Sequence, residues 1–307
     1  MSGLSLKTAA GYFLQEPFLK WNPATDTFGD QFIGRLQRTD RFRTIYHKPT
    51  RRQKLSFQDT TLTMPASGVI QHYQTGYIYL TSTLIEEEYW KGDQYYESLC
   101  ALHLTQEPSG GKGTYVSVTT SGTGDNLGAV VLTESAPIYY DLELRTVGEE
   151  PGTEEIYTGK LIATFSSNVS PSPGDFFLLD SEYYRVNFTY SDGGFSTARV
   201  IKEDPAYVMV SYDYGTASNA VYNPATGTFT SATSATRSVS AIPKDRLAVR
   251  DPVSNAYTET RTLFIYQRHI GFTPKIDDTL TMEGQKYTVR SIKEDTQEEQ
   301  WILEVSL

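Results

Sequence analysis

One cysteine, Cys100, stands among 307 residues, and only four histidines accompany it. A lone thiol excludes an internal disulfide framework and a thiolate metal cluster, and it fits folding in a reducing cytoplasm. Its neighbours in Ser98-Leu99-Cys100-Ala101-Leu102 are apolar, which suits a buried small hydrophobe better than a nucleophile. His47, His72, His103 and His269 show no H-E-x-x-H spacing. There is no run of about 18 apolar residues, which excludes a membrane-spanning helix. The opening Met1-Ser2-Gly3-Leu4-Ser5-Leu6-Lys7 lacks the apolar stretch of a signal peptide. These lacks predict a soluble chain that no signal peptide exports.

Catalytic patterns are also missing. No G-x-S-x-G elbow and no D-x-[DN]-x-[DN]-G metal loop occurs. Gly110-Gly111-Lys112-Gly113-Thr114 departs from a phosphate loop because Gly113 separates Lys112 from Thr114, and the stretch Tyr115-Val116-Ser117-Val118 that follows has strand character. It is expected to be a flexible loop. Paired carboxylates such as Glu86-Glu87-Glu88, Glu149-Glu150 and Glu298-Glu299 flank turns and are expected to be solvated. The expectation is a protein that is no enzyme and carries no cofactor or metal.

What is present is aromatic. With 22 Tyr and 14 Phe, alongside many Thr and Val, the composition favours strands. Pro173-Gly174-Asp175-Phe176-Phe177-Leu178-Leu179-Asp180-Ser181-Glu182-Tyr183-Tyr184-Arg185-Val186 has a second copy in the stretch from Pro274 to Val289, at an offset of 103 residues. Asp175 and Asp278, Asp180 and Glu283, Tyr184 and Tyr287, and Val186 and Val289 coincide. Each copy predicts a turn opened by an acidic corner, a strand, a tight turn, and a strand whose Tyr and Val share one face. Ser181 stands where the second copy has Gly284, which predicts a different turn in the first copy. A second near-repeat, Asn22-Pro23-Ala24-Thr25-Asp26-Thr27-Phe28 and Asn223-Pro224-Ala225-Thr226-Gly227-Thr228-Phe229, predicts two hairpin tips, with Pro setting one corner and Asp26 or Gly227 the left-handed one.

The pattern Gly-Asp, hydrophobic strand, acidic turn, Tyr-x-Val resembles the small β-barrel of head-closure (stopper) and head-tail joining proteins of tailed bacteriophages. The resemblance covers roughly residues 135–212 and 245–307. It implies a structural virion protein at the head-tail junction, assembled as a ring of six or twelve copies beside the portal or adaptor and the tail tube. Assembly in the host cytoplasm and residence in the virion follow from it. Two further classes fit the tyrosine content: a receptor- or glycan-binding tail component, and a capsid decoration protein.

The expected fold is all-β, with tandem small β-barrel or sandwich domains behind an extended N-terminal region. Residues 1–60 read as a basic arm and 61–134 as a β-rich region. In the latter, the spacing from Asp93 fits a short helix or a strand ending at Leu104. Residues 135–212 and 213–307 read as two small barrels, the second with a projecting hairpin inside an irregular stretch from Gly215 to Ser240 and closed by a strand over Trp301–Leu307.

Net charge is −10, yet residues 1–60 carry +5 and the remainder −15. Arg35, Arg38, Arg41, Arg43, Lys48, Arg51, Arg52 and Lys54 are opposed there only by Asp40. A basic segment on an acidic body suits the acidic face of a neighbouring copy, or nucleic-acid phosphate in a bore. These residues, with Tyr222 and Phe229 on the projecting hairpin, are the candidate interaction residues. No membrane partner is expected.

Overall fold

The computed structural model describes residues 16–38, 52–57, 67–90, 93–102, 110–121, 129–145, 160–192, 194–214, 222–225, 228–229, 235–250 and 257–307. Among them every regular element is a strand, except one four-residue helix. The chain divides into two compact units. One is Met1–Val116, Glu134–Ser172 and Phe176–Glu203, and the other is Ser117–Thr133, Pro173–Asp175 and Asp204–Leu307.

The first unit begins with β1 (Glu16–Asn22), β2 (Thr27–Arg38), β3 (Arg52–Phe57), β4 (Val69–His72), β5 (Ile78–Trp90) and β6 (Asp93–Leu102). They close into a barrel in the order β1-β2-β3-β6-β5-β4, with β4 returning to β1 through the register Phe18↔His72. Phe18, Phe32, Leu55, Ile70 and Tyr79 fill it. The N-terminal region is therefore barrel wall across residues 16–38 and 52–57, and not an extended arm. Charge hid a shared face there: Phe32 and Leu36 on β2 lie an even number of residues apart and join Leu55 of β3 in one core. The Asp93 segment is strand β6, paired along β5 from Trp90↔Asp93 to Tyr79↔Leu102, which decides against the helix.

A second barrel follows from β7 (Gly110–Thr120), β8 (Val130–Arg145), β9 (Lys160–Phe165), β10 (Phe176–Leu179), β11 (Glu182–Asp192) and β12 (Phe195–Lys202). The third uses β13 (Val208–Tyr214), β16 (Ala235–Arg250), β17 (Tyr257–Tyr266), β18 (Thr279–Met282), β19 (Gln285–Asp295) and β20 (Gln300–Ser306). Within it, β14 (Tyr222–Asn223) and β15 (Thr228–Phe229) form their own hairpin, and helix α1 (Gln267–Ile270) precedes β18. The second barrel thus starts at Gly110, ahead of the expected boundary at 135. β13, expected before residue 212 in the earlier barrel, belongs to the third. The irregular stretch ends before Ala235, where β16 pairs with β13. β20 lies between β17 and β19 and completes the last barrel as expected.

All three barrels share one topology. Numbered within each barrel, the strands run first-second-third-sixth-fifth-fourth, and the fourth closes on the first. The 103-residue repeat is the hairpin of fourth and fifth strands, where Phe177↔Tyr184 matches Leu280↔Tyr287. A β-bulge follows Val186 in one copy and Val289 in the other, at the same offset. Both turns hold two residues at positive φ: Asp180 at 49° and Ser181 at 67°, Glu283 at 53° and Gly284 at 79°. The turn is the same I′ type in both, so Ser181 adopts the glycine conformation and the expected difference is absent. A third copy is present in β4 and β5, where Ile70 faces Tyr79. The Thr81 N–H donates to the Gly68 carbonyl at 2.7 Å, as Val289 N–H donates to the Asp278 carbonyl at 2.9 Å.

Within the first unit, Trp21, Val69, Leu80, Tyr139 and Phe195 form one apolar cluster drawn from the first and second barrels. The Trp21 and Tyr139 rings meet edge to face at 5.0 Å. Ser167 N–H donates to the Ser67 carbonyl at 2.9 Å.

Candidate functional site

The barrel wall places four of the basic candidates on neighbouring strands. Arg35 and Arg38 lie on β2, and Arg52 and Lys54 on β3. The register sets Arg35 opposite Ser56, Gln37 opposite Lys54 and Arg38 opposite Gln53. Arg35 is half-buried. Arg41, Arg43 and Arg51, together with Lys48, lie outside the described residues. Tyr222 and Phe229 face each other across the β14–β15 hairpin. Its closing register Asn223↔Thr228 repeats Asn22↔Thr27 at the β1–β2 tip, where Asp26 takes a φ of 54°. The Asn22–Thr27 segment is a hairpin tip, as expected, whereas Thr226 and Gly227 of the second segment lie outside the described residues. The register brings Arg35, Arg52 and Lys54 to one face of the wall with Arg38 on the other, and separately sets Tyr222 opposite Phe229.

The acidic run Glu86-Glu87-Glu88 falls on β5. It pairs there with Glu97, Tyr96 and Tyr95 of β6. β3 covers β6 only from Tyr96 to Ala101, so the β5–β6 ribbon runs past it to Trp90↔Asp93. Arg52 sits level with Ala101, roughly 26 Å along β6 from Asp93 at about 3.3 Å per residue. On the first barrel, Arg38, Arg52 and Lys54 therefore lie toward one end of this wall and the acidic ribbon runs toward the other, while Arg35, through Ser56, stands level with Glu97 and Glu86 between them.

The carboxylates of the repeated hairpins fasten backbone. Asp278 Oδ2 accepts the Lys275 N–H at 2.8 Å and the buried Tyr212 hydroxyl at 3.1 Å. Burial first, and then the Asp278 carboxylate, push the Tyr212 hydroxyl far above its ordinary range. Asp175 Oδ1 accepts the Val118 N–H at 3.0 Å and Arg268 at 2.9 Å. Tyr140 donates to Asp180 Oδ2 at 3.0 Å, and its hydroxyl is likewise pushed up by burial first and that hydrogen bond second. In the third barrel Glu259 accepts from Arg246 at 2.7 Å, Arg261 at 2.8 Å and the Tyr287 hydroxyl at 3.2 Å. The two guanidiniums hold its carboxyl below the usual range.

One constellation escaped the sequence reading because Glu16 lies far along the chain from His72 and Thr75. The Thr75 hydroxyl lies 2.9 Å from His72 Nδ1, and His72 Nε2 lies 3.2 Å from Glu16 Oε2. Hydroxyl, imidazole and carboxylate in line are the parts of an activated nucleophile. Here Nδ1 also accepts the Thr75 N–H at 3.1 Å, while Thr75 Oγ1 accepts the Tyr77 N–H at 3.3 Å. The hydroxyl is thus spent on the β4–β5 turn. This arrangement clamps a loop.

Gly110–Thr114 is not a loop but the start of β7. A side chain at Gly113 would meet the Leu178 carbonyl at 2.7 Å and Leu179 at 2.6 Å. The glycine permits close approach of β10, which explains its place beside a lysine without any phosphate. Lys112 itself pairs with Asp26. Among the described residues no three His, Cys, Asp or Glu side chains cluster as metal ligands, and no helix is long and apolar enough to cross a membrane. Comparison of the chain with protein-family models, with curated proteins and with solved structures returns no match.

Proposed function

We propose that this chain is a structural subunit of a tailed-phage virion, building a ring with copies of itself at the head-tail junction and performing no catalysis. The observation that carries the reading is the repeated hairpin. The residues that resemble head-closure and head-tail joining proteins form superposable turns, bulges and Tyr positions in successive closed barrels. The charged groups of those hairpins are engaged in holding backbone. The charge division along the first barrel also supports it. A subunit with a basic end and an acidic end meets its neighbour head to tail, which is the contact that closes a ring. In this reading the neighbouring copy is the first partner of the basic strands, portal or adaptor and tail-tube proteins flank the ring, and DNA in the bore is the second partner.

Native mass spectrometry of the purified chain at low salt, with particle images of the same sample, tests the reading. A closed cyclic oligomer of six or twelve copies is expected. A monomer at every concentration, or saturable turnover of a polysaccharide or nucleotide, counts against it.

A further inference from the structure

We propose that a cleft in the first unit is a binding site for one neutral, sugar-like ring. The cleft has a volume of about 260 Å³ and lies between the segment after β9 and the β11–β12 hairpin, lined among others by Phe165, Pro171, Tyr190, Phe195, Ser196 and Thr197. It is independent of the ring-forming role, because none of the charged strands contributes to it.

The chemistry of the lining selects the ligand. No lining residue carries a charge, so the cleft offers nothing to neutralise a phosphate, a carboxylate or an ammonium group, each of which is costly to desolvate unpaired. Ser170, Thr189, Ser191 and Ser196 bring hydroxyls to the lining beside the half-buried Tyr190 ring, while Phe165, Phe195 and Thr197, each under 5% exposed, form its floor. A purely apolar guest would leave those hydroxyls short of water partners. A polyol without an apolar face would gain nothing from the rings. A pyranose matches both, presenting hydroxyls at its edge and C–H groups on its faces. The volume sits just under the roughly 300–1,000 Å³ range of small-molecule sites, which fits a single ring and not a chain.

The walls are held in place. Ser196 is paired with Phe165 across β12 and β9. The Phe165 ring packs on Phe177 at 5.0 Å, and Phe188 and Tyr190 contact each other at 5.8 Å. Asn168, immediately before Val169 in the other wall, donates its amide to the Pro137 carbonyl at 3.0 Å, while its buried Oδ1 has no hydrogen-bond partner among the described residues. A preformed cleft spares the ligand the cost of ordering it.

The test uses the full chain and methyl glycosides of glucose, galactose and N-acetylglucosamine as probes, with glycerol as the acyclic control. Amide chemical shifts are followed up to about 50 mM, since so few contacting atoms support at best millimolar binding. The expected result is saturable shifts at Val169–Ser170 and Tyr190–Thr197 with at least one glycoside, weakened about tenfold or more by Tyr190→Ala, a loss of about 1.4 kcal/mol. Thr189→Trp, placed at the exposed rim to fill the cleft, should abolish them while the remaining amide spectrum stays native. Absence of saturable shifts with all three glycosides overturns the proposal. So do shifts of equal size with glycerol, or shifts that persist in both variants.

Discussion

His269 is 2% exposed, on α1, and neither ring nitrogen has a hydrogen-bond partner among the described residues. The Tyr207 and Tyr266 rings stand edge-on to it at 6.1 and 5.7 Å. Burial first, and the neighbouring Arg268 charge second, push its pKa down to about 4, against a smaller opposing pull from Asp175. A histidine neutral in the folded state and protonated when unfolded gives stability that is full above its ordinary pKa near 6.5. That stability is lost as pH falls toward 4, by about 3 kcal/mol in all. Urea midpoints measured from pH 7 to 4 should therefore fall more steeply for the natural chain than for His269→Leu. Parallel curves would show that the imidazole is not buried neutral. Ser181 gives a second prediction. Its φ of 67° costs a non-glycine residue roughly 1–2 kcal/mol, partly offset by the extra unfolded-state freedom of glycine. Ser181→Gly should stabilise by up to about 1 kcal/mol. Gly284→Ser should cost about as much, although open space surrounds that position; both are read from denaturation midpoints.

At the scale of the element, the hairpin of fourth and fifth strands is the recurring part. Tyr287 is fully buried beside Val289, whereas Tyr184, at the matching register beside Val186, is half-buried. Tyr287→Ala should cost about 3–5 kcal/mol, and Tyr184→Ala distinctly less; equal losses would mean that the register match does not govern packing. Two of the three copies were legible in the sequence because turn length, acidic corner and Tyr-x-Val spacing agree. The copy in β4 and β5 was not. A five-residue connection, Tyr73–Tyr77, replaces the two-residue turn, Gly68 replaces the acidic corner and Thr81 replaces Val. The basic segment misled in another way, because its density of Arg and Lys drew the reading to charge and away from Phe32, Leu36 and Leu55, which share one face of the wall. Its expected role in assembly remains testable. Arg41, Arg43, Arg51 and Arg52 changed together to Ser should weaken oligomerisation and reduce its salt sensitivity. DNA retention should change instead, with a log-log salt slope of about −0.9 per phosphate neutralised, if phosphate is the partner. Unchanged assembly and unchanged DNA retention would make the segment ordinary surface.

At the scale of the molecule, the all-β class and the tandem barrels were readable from composition and repeat. The count of barrels was not, since closure depends on strands such as β4, four residues long, that no local signal marks. The shared cluster of Trp21, Val69, Leu80, Tyr139 and Phe195 was equally hidden. It joins positions up to 174 residues apart, and no periodicity reports such a distance. Trp21→Ala should cost about 3–5 kcal/mol and lower hydrogen-exchange protection in β4 and β5 and in β8 and β12 together. Loss confined to β4 and β5 would show that the first two barrels melt independently.

Closure has one more consequence. Strand edges are where soluble β proteins recruit one another into fibres, because unpaired N–H and C=O groups template the next chain. In each barrel the fourth strand returns to the first, so the ladder has no beginning to copy. Crowding many copies into a small volume should therefore leave the closed walls inert toward each other along their backbones, and confine any strand pairing to the β5–β6 ribbon beyond β3 and the β14–β15 hairpin. Any other contact between copies would fall to side chains and turns, which are easy to vary one at a time, while the closed walls beneath them resist misassembly.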